Sequence, residues 1–136
     1  MSNQHVTAPV PQRTIIGVAG LIAAGIGIAI TVTPNAFYGG YGISIAADPN
    51  LLSELRAPGA NLATLGMIMI VGAIRSNWFN LSRILAISVF FAFAVGRLVS
   101  WGIDGTPNAS IIIALAIEVA IGSLVLLTTR IQKVGA

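Results

Sequence analysis

The chain has 136 residues, of which 56% are hydrophobic and 8% are charged, and its mean hydropathy is +0.92. Soluble domains carry about 25% charged residues, and a soluble fold of this length could not bury so much apolar surface, so the composition excludes an ordinary soluble domain and predicts a membrane protein. The net charge of +3 comes from seven scattered Lys and Arg residues set against four acids, which excludes the basic stripe that nucleic-acid binding requires.

Residues 1–13 are mostly polar and predict a flexible tail before the first helix. This tail contains His5, the one histidine of the chain, and the chain has no cysteine. A single histidine cannot build a metal or bis-histidine haem site, and thiolate and iron–sulfur sites need cysteine. We therefore expect no metal ion, no cofactor and no catalytic residue.

Four apolar segments, each long enough to cross ~30 Å of hydrocarbon, make up a predicted transmembrane domain over residues 14–130. Pro34 ends the first of them and begins a loop rich in Gly and Tyr. Asp48 and Thr106 are each followed by proline, a pattern typical of a helix N-cap and first helical position. The predicted fold is an all-α, antiparallel four-helix transmembrane bundle with helices at about 14–33, 50–74, 81–103 and 108–129, followed by a basic tail at 131–136.

The charges that flank the two membrane faces predict the orientation of the bundle. Basic residues cluster at one face and acidic residues at the other, so the positive-inside rule places both termini in the cytoplasm. We expect a multi-pass protein of the bacterial cytoplasmic membrane. The basic set is Arg13, Arg75, Arg83, Arg130 and Lys133, and the acidic set is Asp48, Glu54 and Asp104.

Small residues recur at every fourth position on the first and third predicted helices. Such faces allow helix backbones to approach closely in lipid. The pattern predicts helix packing within the bundle, and a face for dimerisation is the alternative. The residues expected to pack are Gly20, Ala23, Gly27, Ala92 and Gly96.

Two charged residues, Arg97 and Glu118, lie well below the membrane faces within the last two predicted spans. Glu118 is about 11 residues past Pro107, so it lies ~16 Å below the membrane boundary on the side away from the cytoplasm. Arg97 is near the end of its own helix and lies ~7 Å below the same boundary. An unpaired charge at such a depth costs roughly 2.5–3.5 kcal/mol or more. Side chains lean toward the N-terminus of their helix, so in an antiparallel hairpin Arg97 and Glu118 lean toward each other. We predict that they form a buried ion pair.

A wider polar cluster follows from the same geometry. Arg56 is expected at a depth comparable to that of the ion pair, with Glu54 and Asp104 nearby and with Tyr38 and Tyr41 at the mouth. Two interpretations stay open. The charges hold the helices in register, or they bind an anionic or amphipathic ligand or relay a proton through the buried acid.

Several of these motifs also resemble a known family. They are the run Leu52-Ser53-Glu54-Leu55-Arg56 with Gly59 and Gly66, the run Gly96-Arg97-Leu98, the pattern Asp104-Gly105-x-Pro107, and Glu118. Together they are similar to a widespread family of small four-helix bacterial membrane proteins known only as a domain of unknown function. The resemblance implies a four-helix bundle and draws attention to the same charged residues, but it implies no reaction. The chain departs from the family pattern at Pro58.

Three functions are compatible with the sequence. The first hypothesis is an accessory or structural subunit that packs against a larger membrane complex or forms a homo-oligomer. The alternative is a binder of an amphipathic lipid, quinone or isoprenoid, with its head group at Arg56 and Arg97. A transporter or proton-linked enzyme using Glu118 ranks last, because the spans contain one buried acid and no nucleophile–base pair. Membrane lipid is an expected partner in each case.

Overall fold

A computed structural model of the chain describes residues 8–134, and it describes side chains over residues 8–128. His5 lies outside the described residues. Within them the chain is helical and contains no strand. The elements are α1 (Val10–Val32), α2 (Pro34–Gly39), α3 (Pro49–Ile74), a 3₁₀ turn (Ser76–Trp78), α4 (Phe79–Asp104) and α5 (Ala109–Val134).

The first and last helices are longer than predicted. Helix α1 begins at Val10 rather than at residue 14, because a proline such as Pro11 is tolerated in the first turn of a helix. Helix α5 continues to Val134, so the backbone of the predicted basic tail is helical through Lys133.

The prediction of a loop after Pro34 was wrong in its first part. Residues 34–39 form the short helix α2, in which Pro34 occupies a position of the first turn. The chain then turns at Gly42, whose φ of 74° lies in the left-handed region that favours glycine. The ring of Phe37 contacts those of Tyr38 and Tyr41, with centroids 5.2 and 5.4 Å apart. This turn therefore gathers three aromatic rings.

Of the two predicted N-cap residues, Asp48 caps its helix and Thr106 does not. Asp48 caps α3, since its carboxylate accepts a hydrogen bond of 2.8 Å from the backbone N–H of Leu51. The predicted cap at Thr106 was wrong: the side chain of Asn108 accepts from the N–H of Ile111 at 3.1 Å and caps α5. Helix α3 runs unbroken through Pro58.

The four long helices alternate in direction and define two ends of the bundle. We call the end that carries Arg13, Arg75 and Arg83 the arginine end, and the end that carries Tyr38 and Tyr41 the tyrosine end. Both α1 and α4 run from the arginine end to the tyrosine end, and α3 and α5 run back.

Helices α1 and α3 approach so closely that their backbones touch. A Cβ atom added at Gly27 would lie 2.3 Å from the backbone nitrogen of Ala63, and one added at Gly66 would lie 2.4 Å from the backbone nitrogen of Ala24. One added at Gly20 would lie 2.8 Å from a backbone carbonyl oxygen of α3. Of the small residues predicted to pack on α1, Gly20 and Gly27 therefore pack against α3, within the chain.

The apolar core lies toward the arginine end. Its fully buried members include Ile16 of α1, Met69 of α3, Ala86 of α4 and Val125 of α5. The buried hydroxyl of Ser82 donates to the carbonyl oxygen of Ile68 at 2.8 Å. This bond joins α4 to α3 and leaves the hydroxyl of that serine paired.

Hydrogen bonds also hold the arginine end closed. The side-chain amide of Gln12 donates to the carbonyl oxygen of Thr128 at 2.6 Å, which ties the start of α1 to α5. The guanidinium of Arg13 donates to the carbonyl oxygen of Ile74 at 3.2 Å and to the hydroxyl of Ser76. Helix α1 is therefore fastened at its first turns to both of its neighbours.

The outer surface of the bundle is apolar. Large hydrophobic side chains such as Leu21, Met67, Ile84 and Ile113 are more than half exposed. Four helices are long and apolar enough to cross a membrane, and their spans are Val10–Val32, Pro49–Ile74, Ser76–Asp104 and Ala109–Thr128. Because lipid is the solvent in which such a surface is stable, the chain has the architecture of a multi-pass membrane protein.

Candidate ligand-binding cavity

The predicted ion pair between α4 and α5 is present. The Nε–H group of Arg97 donates to both carboxylate oxygens of Glu118, each at 2.9 Å. The two helices form a hairpin closed by residues 105–108, so the pair lies on facing sides of adjacent helices. Among the described residues it is the one ion pair.

The pair is only partly enclosed by protein. The side chain of Glu118 is 12% exposed, and that of Arg97 is 25% exposed. In the part of the chain that the structure describes, Arg97 makes its hydrogen bonds through Nε alone, so its two terminal nitrogens donate to no protein group. Since each of these nitrogens carries two N–H groups, the guanidinium can still donate to a ligand.

Arg97 lines a cavity of about 770 Å³ between α1, α4 and α5. Its walls are predominantly apolar, and Arg97 and Glu118 are the charged residues among those that line it. The apolar lining includes Ile22, Ile26, Ile30, Leu62, Phe90 and Phe93.

Small residues leave space beside the larger side chains that line the cavity. Ala92 and Gly96 of α4 and Ala114 of α5 all line it, whereas Phe79 belongs to the packed core in the other half of α4. Close contact with α3 also prevents α1 from moving across to fill the space. The bundle is therefore packed at the arginine end and open at the tyrosine end.

Aromatic residues and one hydrogen bond form the mouth of the cavity. Phe37, Tyr38 and Tyr41 line it at the tyrosine end. The side-chain amide of Asn108 donates to the carbonyl oxygen of Tyr41 at 2.6 Å, while its oxygen caps α5. One side chain thus both starts α5 and fastens the segment 40–48, which we call the mouth loop.

Replacing Asn108 by aspartate separates these two roles. Aspartate is an equally good N-cap, but it cannot donate to the carbonyl of Tyr41. With a hydrogen bond worth about 1 kcal/mol, we expect amide exchange in the mouth loop to become roughly fivefold faster while the first turn of α5 keeps its protection. Hydrogen–deuterium exchange with mass spectrometry measures both segments.

The matched variant is Asn108→Ala, which removes the cap as well. It should accelerate exchange in the mouth loop and also in the first turn of α5. Unchanged exchange of the mouth loop in Asn108→Asp would show that the hydrogen bond does not restrain it.

The structure does not bring Arg56, Glu54 and Asp104 to the ion pair. Arg56 is exposed and lines a separate open depression with Thr31 and residues of α3. Glu54 is exposed on the same helix. Asp104 accepts a hydrogen bond of 2.8 Å from the hydroxyl of Ser100, one turn earlier on its own helix. Comparable depth was the basis of the predicted cluster, but Arg56 points to a different face of the bundle.

The small residues of α4 also differ from their predicted role. Ala92 and Gly96 are exposed and line the cavity, and a Cβ added at Gly96 would meet no atom within 4 Å. They are therefore not helix-packing residues within the chain, because the neighbouring helices leave space beside them. Ala23, in contrast, is buried in the core, as expected.

The predicted cluster did not include the N-cap residue Asn108 or the wall residues Phe90 and Leu62. Asn108 falls within a predicted helix start, and its position before an apolar run is a recognisable N-cap signal. Phe90 and Leu62 form part of the wall, but nothing in the spacing of apolar residues distinguishes a residue that lines a cavity from one that packs in a core. Among the described residues, no three His, Asp or Glu side chains lie together as metal ligands would.

Comparison with known proteins gives one result. The family model described as a domain of unknown function, DUF4345, matches residues 11–129. The chain belongs to this family. The match covers nearly all of the four long helices of this DUF4345 protein together with its cavity, and it agrees with the resemblance noted in the sequence. No curated protein and no solved structure matches the chain.

Proposed function

We propose that the protein binds an amphipathic small molecule in the cavity of the tyrosine end, with its polar group at Arg97 and Glu118 and its apolar part along the walls. The observation that carries this proposal is that Arg97, whose terminal nitrogens donate to no described residue, lines an apolar cavity of about 770 Å³. Cavities of roughly 300–1,000 Å³ with a few placed polar groups are typical of small-molecule sites.

A purely structural role explains the ion pair less well. A pair that only holds two helices in register would use both arms of the arginine and would be enclosed. Here Nε alone donates to the carboxylate, and Arg97 is one of the residues that line the cavity. Donors left without acceptors at membrane depth are costly, so an occupant that accepts hydrogen bonds stabilises the site.

The proposed location is the bacterial cytoplasmic membrane, with the arginine end in the cytoplasm. Arg13, Arg75 and Arg83 lie at that end, and positive charge on the cytoplasmic side is the rule for short loops. The cavity would then open in the leaflet away from the cytoplasm. Amphipathic molecules of the membrane would reach it without crossing water.

The test fills the cavity from a position that tolerates a side chain. Gly96→Phe adds a ring beside Arg97, where an added Cβ meets open space. The protein is purified in mild detergent from its own membranes, and the bound small molecules are extracted and quantified by mass spectrometry. We expect the wild type to retain an amphipathic molecule at near one per chain, and Gly96→Phe to lose at least ~90% of it, about a tenfold drop.

The matched control is Gly25→Phe. Gly25 is also a helical glycine whose added Cβ meets no atom within 4 Å, but it does not line the cavity. It should retain the same molecule as the wild type. Identical extracts from both variants would show that the cavity is not a binding site.

An accessory subunit in a larger assembly is the second candidate. Ala92, Gly96 and Ser100 are exposed at four-residue spacing on α4, so a helix of another protein could approach this face closely. Under this proposal the occupant is a protein helix. The same purification distinguishes the two, because a helix partner would copurify with wild type and with Gly25→Phe but would be lost from Gly96→Phe.

A further inference from the structure

We infer that the head group bound at Arg97 is uncharged and carries carbonyl or ester oxygens, so that the site selects neutral amphiphiles over anionic ones. The inference rests on the binding function proposed above and adds the chemical class of the ligand. Two sources share this chemistry: the ring carbonyls of a long-chain quinone and the ester and hydroxyl oxygens of a neutral glyceride.

The first argument is the charge of the cavity. Of the residues that line it, the ionisable ones are Arg97, Glu118, Tyr38 and Tyr41. The carboxylate of Glu118 contacts the guanidinium directly at 2.9 Å and balances its charge. Arg56 lies in a separate depression. An anionic head group would therefore sit beside a carboxylate with no further cation to balance it, which is unfavourable in a low-dielectric site.

The second argument is the hydrogen-bonding capacity that remains. The terminal nitrogens of Arg97 donate to no described residue, and the hydroxyls of Tyr38 and Tyr41 likewise make no hydrogen bond with the described part of the chain. The site thus offers donors in a planar fork and at the mouth. Neutral oxygens accept from these donors without adding charge.

The third argument is the shape and polarity of the remaining surface. Beyond the ion pair and the two tyrosines the lining is apolar, from Ile22 to Ile117. A ligand with one small polar end and one apolar body matches this distribution. A head group with several charges or many hydroxyls does not, because most of its polar atoms would face hydrocarbon.

The experiment uses the purified full chain, stripped of bound lipid and placed in phosphatidylcholine nanodiscs, with three probes that carry the same hexadecyl chain length. The probes are a hexadecyl-substituted benzoquinone, the hexadecanoyl monoglyceride, and hexadecylsulfonate, which stays anionic. Native mass spectrometry and competition give their relative affinities. We expect the wild type to bind at least one neutral probe about tenfold or more tightly than the sulfonate. Which neutral probe binds more tightly identifies the source.

Three variants test why the site prefers a neutral head group. Glu118→Gln removes the negative charge that balances Arg97, and it should improve sulfonate binding about tenfold while neutral binding changes little. Arg97→Lys keeps the site neutral but lacks the planar fork, and it should weaken neutral binding roughly fivefold to tenfold and leave the sulfonate weak. The double variant Arg97→Gln/Glu118→Gln, neutral and without the cation, should bind the sulfonate no better than the wild type does.

The outcomes separate this inference from the function on which it rests. Tighter sulfonate binding by the wild type would overturn the neutral head group while leaving the cavity a binding site. Wild-type protein that binds none of the probes, with Gly96→Phe and Gly25→Phe giving identical extracts, would overturn both. If Glu118→Gln does not fold, the relative affinities of the wild type and of Arg97→Lys for the three probes decide whether the site selects a neutral head group.

Discussion

Gly27→Leu is expected to abolish docking of α1 on α3 and to leave little folded protein. A Cβ at this position would lie 2.3 Å from the backbone nitrogen and 2.7 Å from the Cα of Ala63, and 2.6 Å from the carbonyl oxygen of Gly59. Backbone atoms of a helix cannot move aside as a flexible side chain can. Overpacking costs about 1–3 kcal/mol even where neighbours can adjust, so we expect several-fold larger losses of folded protein than for an ordinary surface change.

The effect of Gly27→Leu on folding is expected to be large because these helices pack in lipid rather than in water. Helices in lipid associate through close packing rather than through the hydrophobic effect, so separating two backbones removes most of what holds them together. Unfolding in detergent, followed by circular dichroism and by steric trapping, measures the loss. Gly27→Ala should already lower the free energy of unfolding by about 1–3 kcal/mol.

The control is two residues away on the same helix. Gly25 is exposed, and a Cβ added there meets no atom within 4 Å, so Gly25→Leu should change the free energy of unfolding by no more than about 0.5 kcal/mol. Equal stability of Gly27→Leu and Gly25→Leu would mean that α1 and α3 do not pack in this way.

The second large effect is expected at the ion pair. Arg97→Leu leaves the carboxylate of Glu118 without its cation, and Glu118→Leu leaves the guanidinium without its anion. An unbalanced charge within a transmembrane helix costs roughly 2.5–3.5 kcal/mol on insertion scales. We therefore expect each single variant to lower the free energy of unfolding by about 2–3 kcal/mol, the arginine variant somewhat less if its partner gains a proton.

The double variant Arg97→Leu/Glu118→Leu should recover most of this loss, because replacing a buried ion pair by apolar residues is often close to neutral. A double-mutant cycle should then show a coupling energy close to the sum of the two single losses, less the small loss of the double variant. Arg56→Leu is the control, since Arg56 is exposed and lies in a different depression. Additive single effects would show that the two charges are stabilised independently of each other.

The same double variant separates stability from function. It keeps the packing of α4 on α5 but removes both charges from the cavity. A stable protein that no longer retains a polar-headed molecule is the result expected if the pair serves binding. If the double variant retains the molecule at the wild-type level, the ion pair serves structure alone.

Much of the fold follows from local rules that operate before any helix meets another. Membrane-spanning length, proline at a helix start and the cap at Asp48 are properties of short stretches of sequence, and they predict the four helices and their alternation. The ion pair was predictable for a similar reason. Arg97 and Glu118 lie on consecutive helices joined by a short turn, so depth and helix direction determine whether they meet.

Predictions that depended on how each helix is oriented about its own axis were less successful. Arg56 has the right depth but faces another side of the bundle, and only the packing of α1 against α3 decides which side that is. Ala92 and Gly96 are four residues apart, as Ala23 and Gly27 of α1 are, yet they line the open cavity. Spacing shows that a helix has a small-residue face, and it does not show which neighbour, if any, occupies that face.

Composition and linear spacing by themselves determined that this protein is a four-helix membrane protein with one charged pair inside the spans. The cost of exposing polar groups to hydrocarbon acts on each residue separately, and no knowledge of the packing is needed to apply it. The tertiary structure alone decided that the bundle is packed at the arginine end and open at the tyrosine end. A cavity is the space that several helices leave between them, so it depends on how closely α1 approaches α3 and on which residues of α4 and α5 face the gap.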